Sequence, residues 1–171
     1  MAVDYFLKVS DIDGESGDSV HAKEIEISEF NWSASQTGTF AQGAGGGAGK
    51  VRMNDFEFMT RTGKASPKLM LACAKGDHIP EVTLTCRKAG GGQQEFYIIT
   101  MKDVLIAHYQ TGSHRNNGST EEGQGYDDGL PRDFVKLNFA KIECEYRPQK
   151  DDGSLDNPVK AGYDLKANKP V

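Results

Sequence analysis

The apolar residues of this chain mostly recur at every second position, which is the period of a half-buried β-strand. In the first segment these positions are Val3, Tyr5, Leu7 and Val9. The same pattern predicts further strands over residues 24–34, 50–60, 81–88, 95–109, 134–146 and 159–165. Residues 95–109 are apolar on both faces in places, so we expect either burial on both sides or one face in the core and the other against a partner.

Three of the predicted strands change the phase of their apolar positions partway along. The second strand has Ile25 and Ile27 at odd positions and then Phe30, Trp32 and Ala34 at even ones. The same change occurs within residues 50–60 and 134–146. A phase change marks a bulge or a sharp bend. Three strands that bend in this way predict a closed or strongly curved sheet rather than a flat one.

One segment carries the signals of a helix instead. In "SPKLMLACAKG", Ser66 stands at an N-cap position, Pro67 at the first helical position and Gly76 at the stop. A helix this short must pack on the sheet to be stable. The predicted fold class is therefore mainly β: an antiparallel β-barrel of two sheets with one short flanking α-helix, in a single domain over residues 1–171.

Composition narrows the class of function. The formal net charge is −5 and no Lys/Arg run is present, which argues against nucleic-acid binding. No segment approaches the length of a membrane-spanning helix, and the N-terminus lacks the features of a signal peptide. The spacing of the three cysteines does not form a disulfide framework. We expect a protein that folds in the cytoplasm and that leaves it, if at all, by a route that reads no signal peptide.

The glycine-rich segment at residues 43–50, "GAGGGAGK", resembles a phosphate-binding loop. A P-loop requires glycine where Ala44 stands and Ser or Thr where Val51 stands. Gly43, Gly45 and Ala48 match the dinucleotide fingerprint, but a strand pattern follows them where that motif requires a helix. The segment is better interpreted as an adaptable loop between two strands, ordered on contact with a neighbour.

The sequence contains no recognisable arrangement for catalysis or metal binding. "DIDGESGD" has Ser16 and Ala22 where a calcium loop needs glycine and glutamate. The four histidines lie in different segments without metal-ligand spacing. No pattern supplies a nucleophile with its base and orienting group. We therefore expect no enzymatic activity, no cofactor and no metal.

Several segments match a known family in order along nearly the whole chain. They are "MAVDYFLKVSDIDGES", "HAKEIEISEFNWSASQTG", "GGGAGKV", "SPKLMLACAKGDHIPEVTLTCRKAGG", "QEFYIITMKDVLIAHYQTG", "VKLNFAKIECEYRPQ" and "PVKAGYDLKANK". With them the chain resembles the haemolysin-coregulated protein family, Hcp. Only the loop around residues 113–131 is nondescript.

The resemblance implies a hexameric ring of two-sheet barrels, similar to phage tail-tube proteins. Such rings stack into the tube of the bacterial type VI secretion system, a virulence machine. The implied partners are further copies of the chain, a spike protein, a contractile sheath and small effector proteins carried in the lumen. The implied location is the cytoplasm until export and the outside of the cell afterwards. Some family members carry a C-terminal toxin domain, and we expect none here.

The residues expected to serve this assembly fall into two groups. If Trp32 points into the barrel, Asn31, Ser33 and Ser35 point away from it and line the lumen with small neutral groups. Loops at the barrel ends are expected to make the contacts between stacked rings. The candidates for those contacts are Gly45, Gly46, Gly47, Lys50, Arg52, Asp127 and Asp128.

Two other functions remain open from the sequence. A stand-alone β-barrel that binds a ligand such as a glycan predicts a monomer with an aromatic-lined cleft, whereas aromatics make up only 9% of the chain. An enzyme that uses the glycine loop for a nucleotide predicts bound phosphate near Lys50, and the motif failures above count against it.

Overall fold

A computed structural model describes residues 3–36, 50–88, 92–113 and 129–171. One helix and ten strands are present in these ranges. Their bounds are β1 Val3–Val9, β2 Ile25–Asn31, β3 Ala34–Ser35, β4 Arg52–Met53, β5 Phe56–Arg61, α1 Ser66–Lys75, β6 His78–Lys88, β7 Glu95–Gly112, β8 Arg132–Tyr146, β9 Val159–Asp164 and β10 Lys169–Pro170.

The main sheet closes on itself into an antiparallel barrel of six strands. Its order is β8-β5-β2-β1-β6-β7, and β7 pairs back with β8 along most of its length. β9 and β10 extend the sheet from the far half of β8, and β3 and β4 form a separate small hairpin. The predicted fold class, a mainly β barrel with one flanking helix, is confirmed.

The core of the barrel is filled by the strand positions that the period-two pattern marks as apolar. Leu7, Phe56, Leu84, Ile99 and Leu137 are all fully buried. They come from five different strands, so each strand contributes one face to a single core. The alternation in the sequence is therefore the alternation between the inside and the outside of the barrel.

The phase change in the second strand corresponds to an irregularity in strand pairing. The register between β2 and β5 shifts between Ile27 and Glu29, which is the bulge that the sequence predicts. The phase change in residues 50–60 has a different origin. There the chain leaves β4 after Met53 and begins β5 at Phe56, so the two phases belong to two separate strands.

The third phase change is shared by three neighbouring strands. The paired buried positions are Val82, Met101 and Ile142 on one side of it and Ile79, Val104 and Phe139 on the other. Asp103 lies between these two sets of positions, in β7, and has a left-handed backbone conformation at φ 52. Its carboxylate lies 3.1 Å from Nε2 of His78 and accepts a hydrogen bond from Lys166 Nζ at 3.0 Å. In all three strands the set of alternate positions that faces the core changes at the same place. The sheet therefore bends there without losing register.

The single helix of the described residues packs its Leu69 and Ala72 into the barrel wall. It ends at Gly76, whose left-handed conformation, at φ 67, lets its N–H reach back to the last turn. Ser66 is the first helical residue rather than the N-cap, so that prediction is wrong by one position. Its hydroxyl donates to the buried carboxylate of Asp133 and accepts from the N–H of Gly63 at 2.9 Å. Ser66 thus supplies a donor that the buried carboxylate needs, and α1 has no side-chain cap hydrogen bond at its start.

Candidate functional site

The segment from Asn31 to Ser35 lies exposed along one side of the barrel. Asn31, Ser33 and Ser35 are all exposed, whereas Trp32 is half-buried and packs against the core. The predicted division between Trp32 and its polar neighbours is therefore present. Ala34 is exposed as well, although its phase in the sequence suggested the core. It lies in β3, outside the barrel sheet, so nothing covers it in the described chain.

The structure brings a candidate of the second group to the same place. Arg52 lies directly opposite Ser35 in the β3–β4 hairpin, and the hydroxyl of Ser35 donates to its carbonyl oxygen at 3.5 Å. Asn54 continues the contact, because its amide Nδ2 donates to Ser33 Oγ at 2.7 Å and its backbone N–H to the Ser33 carbonyl at 2.9 Å. Lys50 is exposed and lies two residues before the start of β4. Expected lumen residues and expected stacking residues are thus neighbours.

A shallow depression of about 240 Å³ opens beside this segment. Asn31, Trp32 and Ser33 form one wall, and β5 and β8 supply the other. On that second wall, Lys136 Nζ lies 2.6 Å from the carboxylate of Glu57. Asp55 also lines the depression and accepts a hydrogen bond from the neutral amide of Asn138 at 2.8 Å. The surface is therefore polar, with one ion pair and one further carboxylate.

Sequence reasoning did not single out Glu57, Lys136 or Asn54. Lys136 lies between the core residues Val135 and Leu137, and this position predicts that its side chain points outward. Its partner follows only from the register, because Glu57 and Lys136 are directly opposite in the β5–β8 pair. No signal in the linear sequence connects two residues so far apart.

The remaining stacking candidates lie outside the described residues. They are Gly45, Gly46, Gly47, Asp127 and Asp128.

A second surface lies at the open end of the sheet. Tyr146 and Val159 are opposite each other in the β8–β9 pair, and they are 49% and 64% exposed. They share a face with Ile142, which is buried four pairs further along. β10 pairs with β9 at Tyr163 and Asp164, and the Val171 N–H donates to the Gly162 carbonyl at 3.2 Å, so among the described residues no strand covers the outer edge of β9 before Gly162. An apolar strip therefore continues the core into solvent beside an unpaired strand edge.

The strand that was expected to be apolar on both faces has one face in the core. Ile99, Met101, Val104 and Ile106 of β7 are buried. On the opposite face Ile98 is half-buried and Leu105 is 41% exposed. The part of the prediction that concerns the core is confirmed, and the expected partner on the other face stays a prediction.

The described residues contain no cluster of His, Cys, Asp or Glu suited to a metal ion. The three cysteines are free thiols, and burial raises the pKa of Cys86 to about 12, which keeps it protonated at neutral pH. Burial likewise raises the pKa of Tyr97 to about 12. In the parts of the chain that the structure describes, no helix is both long and apolar enough to cross a membrane.

Comparison with known proteins gives consistent results. Residues 6–146 match the family model described as "Type VI secretion system effector, Hcp". The chain is 45% identical to Protein hcp1 of Pseudomonas aeruginosa over 170 residues, which is 98% of both chains.

Solved structures show the same similarity. Hcp1 from Salmonella typhimurium is 33% identical, with a TM-score of 0.75 and complete coverage of both chains. A structure described as a type six secretion system protein has a TM-score of 0.86 at 27% identity, covering 99% of this chain and 100% of the other. The barrel, the small hairpin and the extension thus belong to a known architecture, and this chain is a member of the Hcp family of type VI secretion proteins.

Proposed function

We propose that this protein is the ring subunit of a type VI secretion tube. Six copies close into a ring, the rings stack into a hollow tube, and a contractile sheath expels the tube behind a spike protein. The lumen carries small effector proteins before export. The proposal rests on membership of the Hcp family and on the two surfaces described above.

The observation that carries the proposal is the apolar strip at the edge of β9. Val159 is 64% exposed at the end of β9 where, among the described residues, no strand pairs with the outer edge, and it lies beside the half-exposed Tyr146. An isolated soluble barrel avoids such an edge, because it invites pairing with another chain. A ring buries this edge at every contact, since each subunit presents the same surface to a different surface of its neighbour.

The segment from Asn31 to Ser35 supports the proposed lumen. Its exposed side chains are short amides and hydroxyls, and the nearby charges of Lys136 and Glu57 are paired. A channel wall of this kind, in which Asp55 accepts a hydrogen bond from the neutral amide of Asn138, binds varied cargo mainly through hydrogen bonds. The neighbouring Lys50 and Arg52 then lie where this wall meets the next ring. Rim ion pairs of this kind contribute at most about 1 kcal/mol each, which suits a tube that must come apart after export.

Native mass spectrometry and electron microscopy of the purified chain test the ring. We expect a sixfold ring with an open centre. Val159→Lys places a charge on the strip and should leave monomers, because a buried unpaired charge is costly. Val20→Lys is a matched control, since Val20 is 66% exposed in the loop between β1 and β2. A wild-type chain that stays monomeric at high concentration contradicts the proposal and favours a stand-alone ligand-binding barrel.

The lumen assignment has its own test. Asn31→Glu adds charge to the exposed segment, and it should lower the amount of a co-expressed small effector protein that co-purifies with the ring. Ring formation, measured by native mass spectrometry, should be unchanged. Unaltered effector binding by Asn31→Glu would place the lumen elsewhere.

A further inference from the structure

The loop between β1 and β2 folds back on itself and is held against the barrel by charged groups. Its two arms are joined by backbone hydrogen bonds: Gly14 N–H donates to the Lys23 carbonyl at 2.7 Å, and Ser16 N–H donates to the Glu24 carbonyl at 3.1 Å. His21 lies at the turn and is only 5% exposed. Its ring stacks on Phe6 with centroids 4.3 Å apart.

Both nitrogens of the His21 ring face carboxylates. Nδ1 lies 3.1 Å from Oε2 of Glu24, which is in the same loop, and Nε2 lies 3.3 Å from Oε1 of Glu95, which begins β7. The contact between Nε2 and Glu95 is not aligned for a hydrogen bond, and Nε2 has no other partner among the described residues. Glu95 is 31% exposed, so its carboxylate has room to turn into line.

Neither neutral form of the ring suits this site. A neutral imidazole carries one N–H and one lone pair. Whichever nitrogen holds the proton, the lone pair of the other faces a carboxylate oxygen at 3.1 or 3.3 Å. The doubly protonated ring removes this conflict, because Nδ1 then donates to Glu24 and Nε2 has a proton to donate to Glu95 once that carboxylate turns into line.

The other charges around His21 are paired with one another. Arg87 of β6 lies over Phe6 at 4.7 Å, and its guanidinium donates to both oxygens of Asp18 at 3.0 and 2.6 Å. Asp4 of β1 accepts a longer bond from it at 3.4 Å. The positive charge of Arg87 is thus balanced, and it does not cancel the attraction of Glu24 and Glu95 for a second cation.

We propose that His21 is a pH-sensitive clasp that fixes the β1–β2 loop to the start of β7. When the imidazole is charged it bridges Glu24 and Glu95, and when it loses a proton the bridge to Glu95 opens. The clasp is therefore closed while the imidazole is charged and open once the imidazole is neutral.

The link between Arg87 and Asp18 limits how far the loop opens. The Arg87 guanidinium, followed by the backbone N–H groups of Val20 and His21, holds the pKa of Asp18 well below its usual range. Hydrogen bonding to Asp18 in turn raises the pKa of Arg87. Both groups therefore stay charged where an imidazole titrates. Opening at His21 frees one arm of the loop while Asp18 stays bound.

Hydrogen exchange of the full-length chain tests the clasp at two levels. Exchange at the C2 carbon of each histidine, followed by mass spectrometry, reports the protonation of each ring separately. Amide exchange over residues 16–24, corrected for the intrinsic pH dependence of exchange, reports loop opening. We expect amide protection to fall by about tenfold or more between the pH range in which the His21 ring is measured as charged and the range in which it is measured as neutral. This loss is the equivalent of one hydrogen bond to a charged group. Protection of α1 should not change.

Two variants and one control complete the test. Glu95→Gln alters a partly exposed side chain and should remove most of the pH dependence without unfolding the loop. His21→Gln should give the same loop protection throughout the pH range. His78→Gln is the matched control, since His78 is 63% exposed and pairs with Asp103 away from the loop. Loop protection that does not change when the His21 ring loses its proton, or the same pH dependence in Glu95→Gln, would overturn the proposal.

Discussion

The two halves of β8 make the same kind of strand in two different settings. In the first half, Val135 and Leu137 are fully buried and β5 and β7 pair on either side. In the second half, β9 replaces β5 as the neighbour, and the apolar face ends at the exposed Tyr146 and Val159. The first half is complete within one chain. The second half has the apolar pattern of a core strand, but the described residues do not cover the end of its apolar face. This is expected for a surface that a partner completes.

The largest effect is expected in the closed half. Phe56 is fully buried in β5 and stacks on Phe30 with centroids 5.7 Å apart. Phe56→Ala should lower the free energy of unfolding by about 3–5 kcal/mol, because it removes a large apolar group and leaves a cavity. Urea unfolding followed by circular dichroism measures the loss. A loss below about 1 kcal/mol would mean that the barrel core is not the main source of stability.

A smaller effect is expected where β9 joins β8. A Cβ added at Gly162 would lie 2.7 Å from Cγ of Glu143, 2.8 Å from Cγ2 of Val171 and 3.0 Å from the Ile142 carbonyl oxygen. Gly162→Ala should cost about 1–3 kcal/mol through overpacking, mainly by loosening β9. Amide exchange should rise in β9 and β10 and stay unchanged in β1 and β6. Gly17→Ala is the control, because no atom lies within 4 Å of its added Cβ.

The extension should also respond to acid. The ammonium of Lys160, opposite in β9, together with the nearby Arg147, holds the pKa of Glu145 below its ordinary value of 4.5. A carboxyl with a lowered folded-state pKa stabilises the fold above its unfolded value, and this stabilisation is lost as the pH falls through the folded value. Thermal unfolding of Glu145→Gln should therefore depend less on pH below about 4.5 than that of the wild type. Parallel pH profiles for the two chains would count against the pair.

The smallest effect on stability is expected for Val159→Lys, and it is the result that best distinguishes the two halves of β8. Val159→Lys should change the free energy of unfolding of the isolated barrel by no more than about 0.5 kcal/mol, because Val159 already faces solvent there. Denaturation at low protein concentration measures this value. A large loss in the monomer would show that Val159 serves its own barrel rather than a partner.

Much of the barrel follows from local pattern. The period-two alternation places Leu7, Phe56 and Leu137 in the core, and the phase change after Ile27 predicts the irregularity in β2. The N-cap of α1 lies one residue earlier than predicted, at Ala65, and Ser66 bonds to Asp133 in a distant strand. Such a tertiary partner cannot be predicted from neighbouring residues.

The candidate site was predictable in part. Exposed Asn31, Ser33 and Ser35 follow from alternation with Trp32, but the pairing of Ser35 with Arg52 depends on a hairpin between segments that the sequence does not align. The clasp at His21 was not predicted from the sequence. Glu24 is near it in the chain, whereas Glu95 reaches it only because β1, β6 and β7 are neighbours in the sheet.

The sequence by itself determined the strand class, the curvature and the faces of the strands, because these depend on the spacing of apolar residues over a few positions. The tertiary structure alone decided which charged groups meet, where the apolar strip on β9 emerges, and how three strands change facing on one line. Those features depend on register between strands far apart in the chain. Register is set by closure of the whole barrel, and no local stretch of sequence encodes it.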